Sequence, residues 1–246
     1  MAQLTRDEAA SKIMVALDKP DAEAALKLAG RLEGSGVWMK VGFELIYAAG
    51  PDIVRELKRR GMRVFLDAKM HDIPNTIRGG ARSITRLGAD MFNVHAAGGI
   101  AMMSAAIEGV REAVEAGDAE KAPIVIAVTQ LTSTSQSTFN EEIGISGSIE
   151  DSVVHYAKTA LKAGLQGVVA SPLEVAAIKA ACGTGFLTVT PGIRPRGVDA
   201  GDQSRITTPY DAVKGGTDYL VIGRAINAAS DPREALDTIL KEMTLA

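Results

Sequence analysis

Within Asp67-Ala68-Lys69-Met70-His71-Asp72 two carboxylates, an ammonium and an imidazole fall inside six residues, and Pro74 follows directly behind. If Arg63 to Lys69 is a β-strand, side chains alternate between faces, so Asp67 and Lys69 share one side while Leu66 and Ala68 take the other. A carboxylate and an ammonium then stand side by side, an arrangement found both in structural ion pairs and in proton-transfer sites. Asp72 sits just before a proline that can open a helix, so it reads either as a helix cap or as a third charge of the same cluster.

A second signal is Lys40, which interrupts Val37-Trp38-Met39-Lys40-Val41-Gly42. Lysine is almost never fully buried without a partner, so an inward Lys40 needs an acid, and Asp67 or Asp18 on a neighbouring strand can supply one. The alternative is a lysine that snorkels to the surface. His71 and His95 could bind a divalent metal with Asp67 or Asp72, but their spacing is not diagnostic. A histidine ending an apolar strand more often serves as a hydrogen-bonded structural residue.

Groups of this kind need elements to hold them, and the chain supplies a repeating one. Ile13 to Leu17 is an apolar run followed by a helical segment to Leu32. The same unit recurs from Val37 to Gly42, Arg63 to Met70, Met91 to Ala96, Ile124 to Leu131, Gly167 to Ser171, Phe186 to Pro191 and Tyr219 to Gly223. Helices are expected at about 44–60, 74–87, 100–116, 151–163, 173–181, 209–214 and 233–243. Leu236, Ile239, Leu240 and Met243 make an i, i+3, i+4, i+7 stripe behind the start signal Asp231-Pro232. Continuous apolar strands alternating with helices require a parallel sheet covered by helices, and eight such units predict a (β/α)₈ TIM barrel of the α/β class. No GxGxxG turn follows the first strand, which argues against a doubly wound sheet.

The length of 246 residues fits one such barrel, taken as a single domain over 1–246. Net charge is −3, so no global positive field recruits nucleic acid, and an anionic ligand must be held by local groups. A single cysteine, Cys182, excludes an internal disulfide and a cysteine-cluster metal site, and it reads as a small buried filler. The polar start of the chain and the absence of a run of roughly 20 apolar residues point to a cytoplasmic protein without a membrane partner.

Catalytic groups of a TIM barrel come from the C-terminal ends of its strands. Asp18, Lys40, Asp67 with Lys69, Asn93 with His95, Thr129 to Thr132, Pro191 with Arg194, and Gly223-Arg224 all fall at that end. The loop from Thr190 to Gln203 is rich in Gly, Pro and Arg. Loops after strands seven and eight often grip phosphate, which makes Arg194 and Arg224 candidate cations, Gly223 a point of close backbone approach and Gln203 an amide donor. The polar segment Thr132 to Ser152 reads as a lid.

The chain resembles the bacterial orotidine 5′-phosphate decarboxylases from about Ile13 to Arg224. The resemblance is carried by Phe65-Leu66-Asp67-Ala68-Lys69-Met70-His71-Asp72-Ile73-Pro74-Asn75-Thr76, Asn93-Val94-His95-Ala96, Leu131-Thr132-Ser133, Thr190-Pro191-Gly192-Ile193-Arg194 and Val221-Ile222-Gly223-Arg224. It implies decarboxylation of orotidine 5′-monophosphate to UMP and CO₂, the last step of de novo UMP synthesis, with no cofactor and no metal. It implies a catalytic network of Lys40, Asp67, Lys69 and Asp72, in which Lys69 protonates C6. It further implies a homodimer in which Asp72 and Thr76 complete the partner's site. Asp18 and Lys40 would contact the ribose hydroxyls, Thr132 the pyrimidine, and Arg194, Gln203, Gly223 and Arg224 the phosphate end, with Asp67 and Thr76 also among the substrate-binding residues.

The Asp-x-Lys-x-x-Asp core is shared with 3-keto-gulonate-6-phosphate decarboxylase and hexulose-phosphate synthase, similar barrels that use Mg²⁺. A Mg²⁺-dependent sugar-phosphate enzyme is therefore the alternative, and a catalytically dead nucleotide-binding barrel is a third reading. The His-Asp-Ile-Pro-Asn-Thr continuation favours the orotidylate enzyme, and the presence of both Lys40 and Lys69 argues against a dead one.

Overall fold

The computed structural model describes residues 3–195 and 207–245, in which eight parallel strands close into a barrel in sequence order. The strands are β1 (Ile13–Ala16), β2 (Trp38–Val41), β3 (Arg63–Met70), β4 (Met91–His95), β5 (Ile124–Val128), β6 (Gly167–Val169), β7 (Leu187–Thr190) and β8 (Tyr219–Ile222). β1 pairs with both β2 and β8, which closes the ring. The expected (β/α)₈ architecture is therefore present.

Period-two alternation explains what fills the barrel. Met14, Trp38, Phe65, Met91, Ile126 and Val189 form one apolar cluster, drawn from six strands that point a residue into the same interior. Residues of the opposite parity, such as Val15, Met39, Val64, Leu66, Phe92 and Val94, join the larger core shared with the helices. Two residues beyond Trp38, Phe65 and Met91 on their strands come Lys40, Asp67 and Asn93. The interior is thus apolar in its lower layers and becomes polar toward the C-terminal end.

The opposite end is locked by polar side chains. Asp90, ahead of β4, accepts from the Val64 N–H at 2.8 Å and from Lys58 Nζ at 2.6 Å. Asp218, ahead of β8, repeats this with the Thr188 N–H at 2.7 Å and Lys179 Nζ at 2.6 Å. Gln166, ahead of β6, accepts from the Val125 N–H at 2.7 Å. Each satisfies a backbone donor at the start of the preceding strand, where the ladder has run out.

Several boundaries differ from the sequence expectation. The helix expected over 44–60 is two, Phe43–Ala49 and Asp52–Arg59, because Gly50 takes φ +71° and Pro51 follows it. Arg6–Ser11 adds a helix before β1, started by a Thr5/Glu8 capping box, and Arg224–Asn227 adds one turn after β8. The helix Pro74–Leu87 has the expected bounds, with proline in its first turn and Gly88 in the left-handed conformation at its end. It packs so tightly on Gly99–Glu115 that a Cβ at Gly109 would lie 2.1 Å from the Arg78 carbonyl oxygen. The stripe Leu236, Ile239, Leu240 and Met243 is buried on Pro232–Met243. Cys182 is half-buried rather than buried, at the end of Val175–Cys182, and burial pushes its thiol pKa up. No helix among the described residues is long and apolar enough to cross a membrane.

Candidate active site

At the C-terminal mouth the strands surround a cavity of about 350 Å³. Among the candidate residues Asp18, Lys40, Asp67, Lys69, Thr132, Arg194, Gly223 and Arg224 all line it. Eight positions scattered over more than two hundred residues of sequence thus face one space, because each stands at or just beyond the end of a strand.

Charges alternate along one wall. Lys40 Nζ donates to Asp18 Oδ1 at 2.8 Å and lies 3.9 Å from Asp67 Oδ2, and Lys69 Nζ donates to Asp67 Oδ1 at 2.7 Å. The order is acid, base, acid, base. The Lys40 side chain is only 9% exposed, so these two acids take the place of water around its end, and surface snorkelling is excluded. Asp67 is the shared member, receiving both ammonium groups, and at 15% exposure it is shielded from water that would screen them. Gly42 makes room for this pairing: a Cβ there would stand 3.0 Å from Lys40 Nζ and 3.7 Å from Asp18 Oδ1.

Asp67 and Lys69 meet, but not by the regular alternation expected of a strand. Lys69 has φ +42°, and among the described residues no other non-glycine has positive φ. The pairing of β3 with β4 shifts register between Leu66 and Met70. A left-handed lysine costs about 1–3 kcal/mol and persists only where its surroundings hold it. The holder here is Asn93, fully buried on β4, whose Oδ1 accepts from the Lys69 N–H at 2.6 Å and whose Nδ2 donates to Asp67 Oδ1 at 2.7 Å. On the solvent side the Phe43 ring lies 5.4 Å from Lys69 Nζ, in cation–π range. Neither Asn93 nor Phe43 was assigned a role from sequence. The signal for Asn93 was its place two residues past Met91 in an apolar strand; Phe43 carried none.

His71 and His95 stack with ring centroids 5.6 Å apart. Burial, then His71 and Lys69, push the His95 pKa down, while Asp67 pulls it up. Among the described residues no three or more His, Cys, Asp or Glu side chains are grouped so that they could hold a metal ion.

Asp72 and Thr76 do not line the cavity. Every residue from His71 to Thr76 is exposed, and Asp72 forms no ion pair with any described residue. Its Oδ1 accepts from the adjacent Ile73 N–H at 2.6 Å, while the helix Pro74–Leu87 has no side-chain cap, so Asp72 is not the capping residue.

At the other side of the mouth, Arg194 is 8% exposed and its Nη1 donates to the Ile193 carbonyl at 3.0 Å. The strand-like contact between Ile193 and Thr207, with Arg194 N–H donating to the Thr207 carbonyl at 3.0 Å, joins the two ends of the loop after β7. Gln203 and Arg196, which belong to that loop, lie outside the described residues. Gly223 precedes the turn Arg224–Asn227, which Asn227 ties to β1 by a 3.2 Å bond to the Ala16 carbonyl. The segment expected as a lid begins with Thr132 at the cavity and carries a helical turn, Thr138–Glu142. Its Phe139 is fully buried, and Gln136 and Asn140 both donate to the Gly147 carbonyl.

Residues 11–239 match the family model described as orotidine 5′-phosphate decarboxylase / HUMPS family. The orotidine 5′-phosphate decarboxylase of Moorella thermoacetica is 51% identical over 243 residues, covering 99% of this chain and 96% of the relative. That of Bacillus cereus strain Q1 is 48% identical over 230 residues, covering 94% and 96%. The crystal structure of orotidine 5′-phosphate decarboxylase from Lactobacillus acidophilus superposes with a TM-score of 0.83 at 39% identity, covering 94% of this chain and 98% of that one.

Proposed function

The chain belongs to the orotidine 5′-phosphate decarboxylase / HUMPS family, and from that premise we propose how its side chains convert orotidine 5′-monophosphate to UMP and CO₂. The activity is that of a carboxy-lyase of pyrimidine synthesis. When the bond between C6 and the carboxyl carbon breaks, the electron pair remains on C6 in an sp² orbital that the ring carbonyls do not delocalise well. Stabilisation must therefore come from a preorganised field. The observation that carries the reading is the alternating chain of Asp18, Lys40, Asp67 and Lys69 on one wall of the cavity.

Lys69 is the end of that chain, with Asp67 its one acid partner among the described residues. As an ammonium it faces the charge developing at C6, and it then delivers its proton there, leaving a neutral amine that solvent reprotonates. Asp67 holds the Lys69 ammonium in place through the 2.7 Å contact. Lys40 links Asp67 to Asp18, and Lys40 and Asp18 reach the ribose hydroxyls. Thr132 faces the pyrimidine. Arg194, Gly223 and Arg224, with Gln203 of the loop between them, take the phosphate. Because that grip lies far from C6, its binding energy serves the transition state by closing the site.

Asp72 and Thr76 belong to the neighbouring subunit's site in a homodimer of single-domain, cytoplasmic chains. Three features support this. Among the described residues Asp72 joins no charge of its own cavity, Ile73 beside it is 66% exposed, and Tyr47, after β2, is 83% exposed. An apolar Ile73 left in water beside a carboxylate that joins no ion pair among the described residues suits a self-complementary contact, and an exposed Tyr47 can add to one.

The test is consumption of orotidine 5′-monophosphate by purified protein with and without EDTA. Undiminished turnover in the chelator is expected. Turnover restored only by added Mg²⁺ would instead favour the sugar-phosphate chemistry of the alternative reading.

A further inference from the structure

We infer that Asn93 is a positioning residue for the decarboxylation: its one amide sets both the backbone of Lys69 and the carboxylate of Asp67. This rests on the reading of Lys69 as proton donor. Where β3 shifts register against β4, the Lys69 N–H meets the Asn93 side chain at 2.6 Å. The same amide donates to Asp67 Oδ1 at 2.7 Å, the oxygen that also accepts from Lys69 Nζ at 2.7 Å. Asp67 is thereby turned so that Oδ1 serves Lys69 while Oδ2 faces Lys40 at 3.9 Å.

The chemistry of the position is narrow. A backbone N–H requires an acceptor and a carboxylate requires a donor, so the two demands fix which way the amide points. An aspartate would keep the acceptor but set a second carboxylate against Asp67, and a leucine of similar volume would keep the packing and lose both bonds. Asn93 is also neutral, so it orders the four charges without adding a fifth. Because it is fully buried, water cannot substitute for either bond.

The experiment compares Asn93→Leu and Asn93→Asp with wild type and with Lys69→Ala, measuring kcat, KM and UMP affinity on protein shown to be folded by circular dichroism. A misplaced proton donor costs about 100-fold, so both Asn93 variants are expected to lose at least that much in kcat. Their UMP affinity is expected to stay within about threefold of wild type, since none of the phosphate or ribose contacts is touched. Asn93→Asp adds a distinctive signature. Facing Asp67, with Lys69 and Lys40 beyond and the stacked His95 and His71 alongside, the new carboxyl gains a proton as pH falls and can then donate as the amide did. Its kcat relative to wild type at the same pH is therefore expected to rise between about pH 8 and about pH 5.

Near-wild-type kcat in both variants would overturn the inference. So would losses in kcat matched by equal losses in UMP affinity, or a ratio for Asn93→Asp that stays flat with pH. Should Asn93→Leu fail to fold, the Asn93→Asp profile decides alone. The two possible failures separate: turnover by Lys69→Ala sinks the reading of Lys69 and the inference with it, whereas a dead Lys69→Ala beside active Asn93 variants sinks the inference only.

Discussion

Lys69 Nζ reaches Asp67 Oδ1 at 2.7 Å although Lys69 has left the extended conformation, with φ +42° at a shift in strand register. The contact therefore depends on the strand beside β3 as well as on β3 itself. It also means that the charge pair sits on a backbone held away from its preferred state.

Hybrid dimers test the division of labour between Lys69 and Asp72. Lys69→Ala and Asp72→Asn are each expected to be nearly inactive. Mixed after unfolding and refolding, they should recover roughly a quarter of wild-type activity, because half the dimers are hybrids and each hybrid holds one intact site. If the mixture stays as inactive as its components, Asp72 does not act across an interface.

Gly42 leaves the space that the Lys40 ammonium occupies, since a Cβ would stand 3.0 Å from it. Gly42→Ala should shift the Lys40 ammonium by a few tenths of an ångström against Asp18 and lower kcat/KM by up to about tenfold, chiefly through KM if the pair contacts ribose. An unchanged KM would remove Asp18 and Lys40 from substrate binding.

At the far end of the barrel, Asp218 accepts from Lys179 Nζ, the Thr188 N–H and the Thr188 hydroxyl, at 2.6, 2.7 and 3.0 Å. Asp218→Ala strands those donors and should cost about 1–3 kcal/mol of stability, read by urea denaturation, with kcat intact below the transition. Loss of kcat in a folded variant would show that the two ends are coupled.

His95 gives stability a pH dependence of known sign. Burial and its cationic neighbours hold its pKa below the ordinary 6.5 in the folded chain, so below that value the unfolded chain binds more protons. The stability is fully present above 6.5 and is lost as pH falls through it toward the folded value. Between about pH 7.5 and about pH 5.5 the melting temperature of wild type should drop more than that of His95→Gln. Equal drops would show that His95 is not depressed.

Much of the barrel was legible because its signals are local. Apolar runs, helix-period stripes such as Leu236 to Met243, and proline or glycine at helix ends act within a few residues. The mouth was legible in outline for a related reason: Lys40 and Asp67 are charged residues at inward positions, where charge needs a partner. Three things were not readable that way. Lys69 was expected to follow strand alternation, and its left-handed turn depends on Asn93, which comes from another strand. The break at Gly50-Pro51 was hidden by an apolar pattern that continues across it. By position Asp72 could be a cap or a third charge of the cluster, yet among the described residues it joins no ion pair, and the helix behind it is started by proline with no side-chain cap.

The most direct test of the account is release of CO₂ from orotidine 5′-monophosphate by Lys69→Ala, measured beside its affinity for UMP. The account predicts turnover lower by about 10³-fold or more, with UMP binding retained, because Lys69 acts on charge that exists only in the transition state. Turnover near that of wild type in a folded Lys69→Ala protein would contradict it.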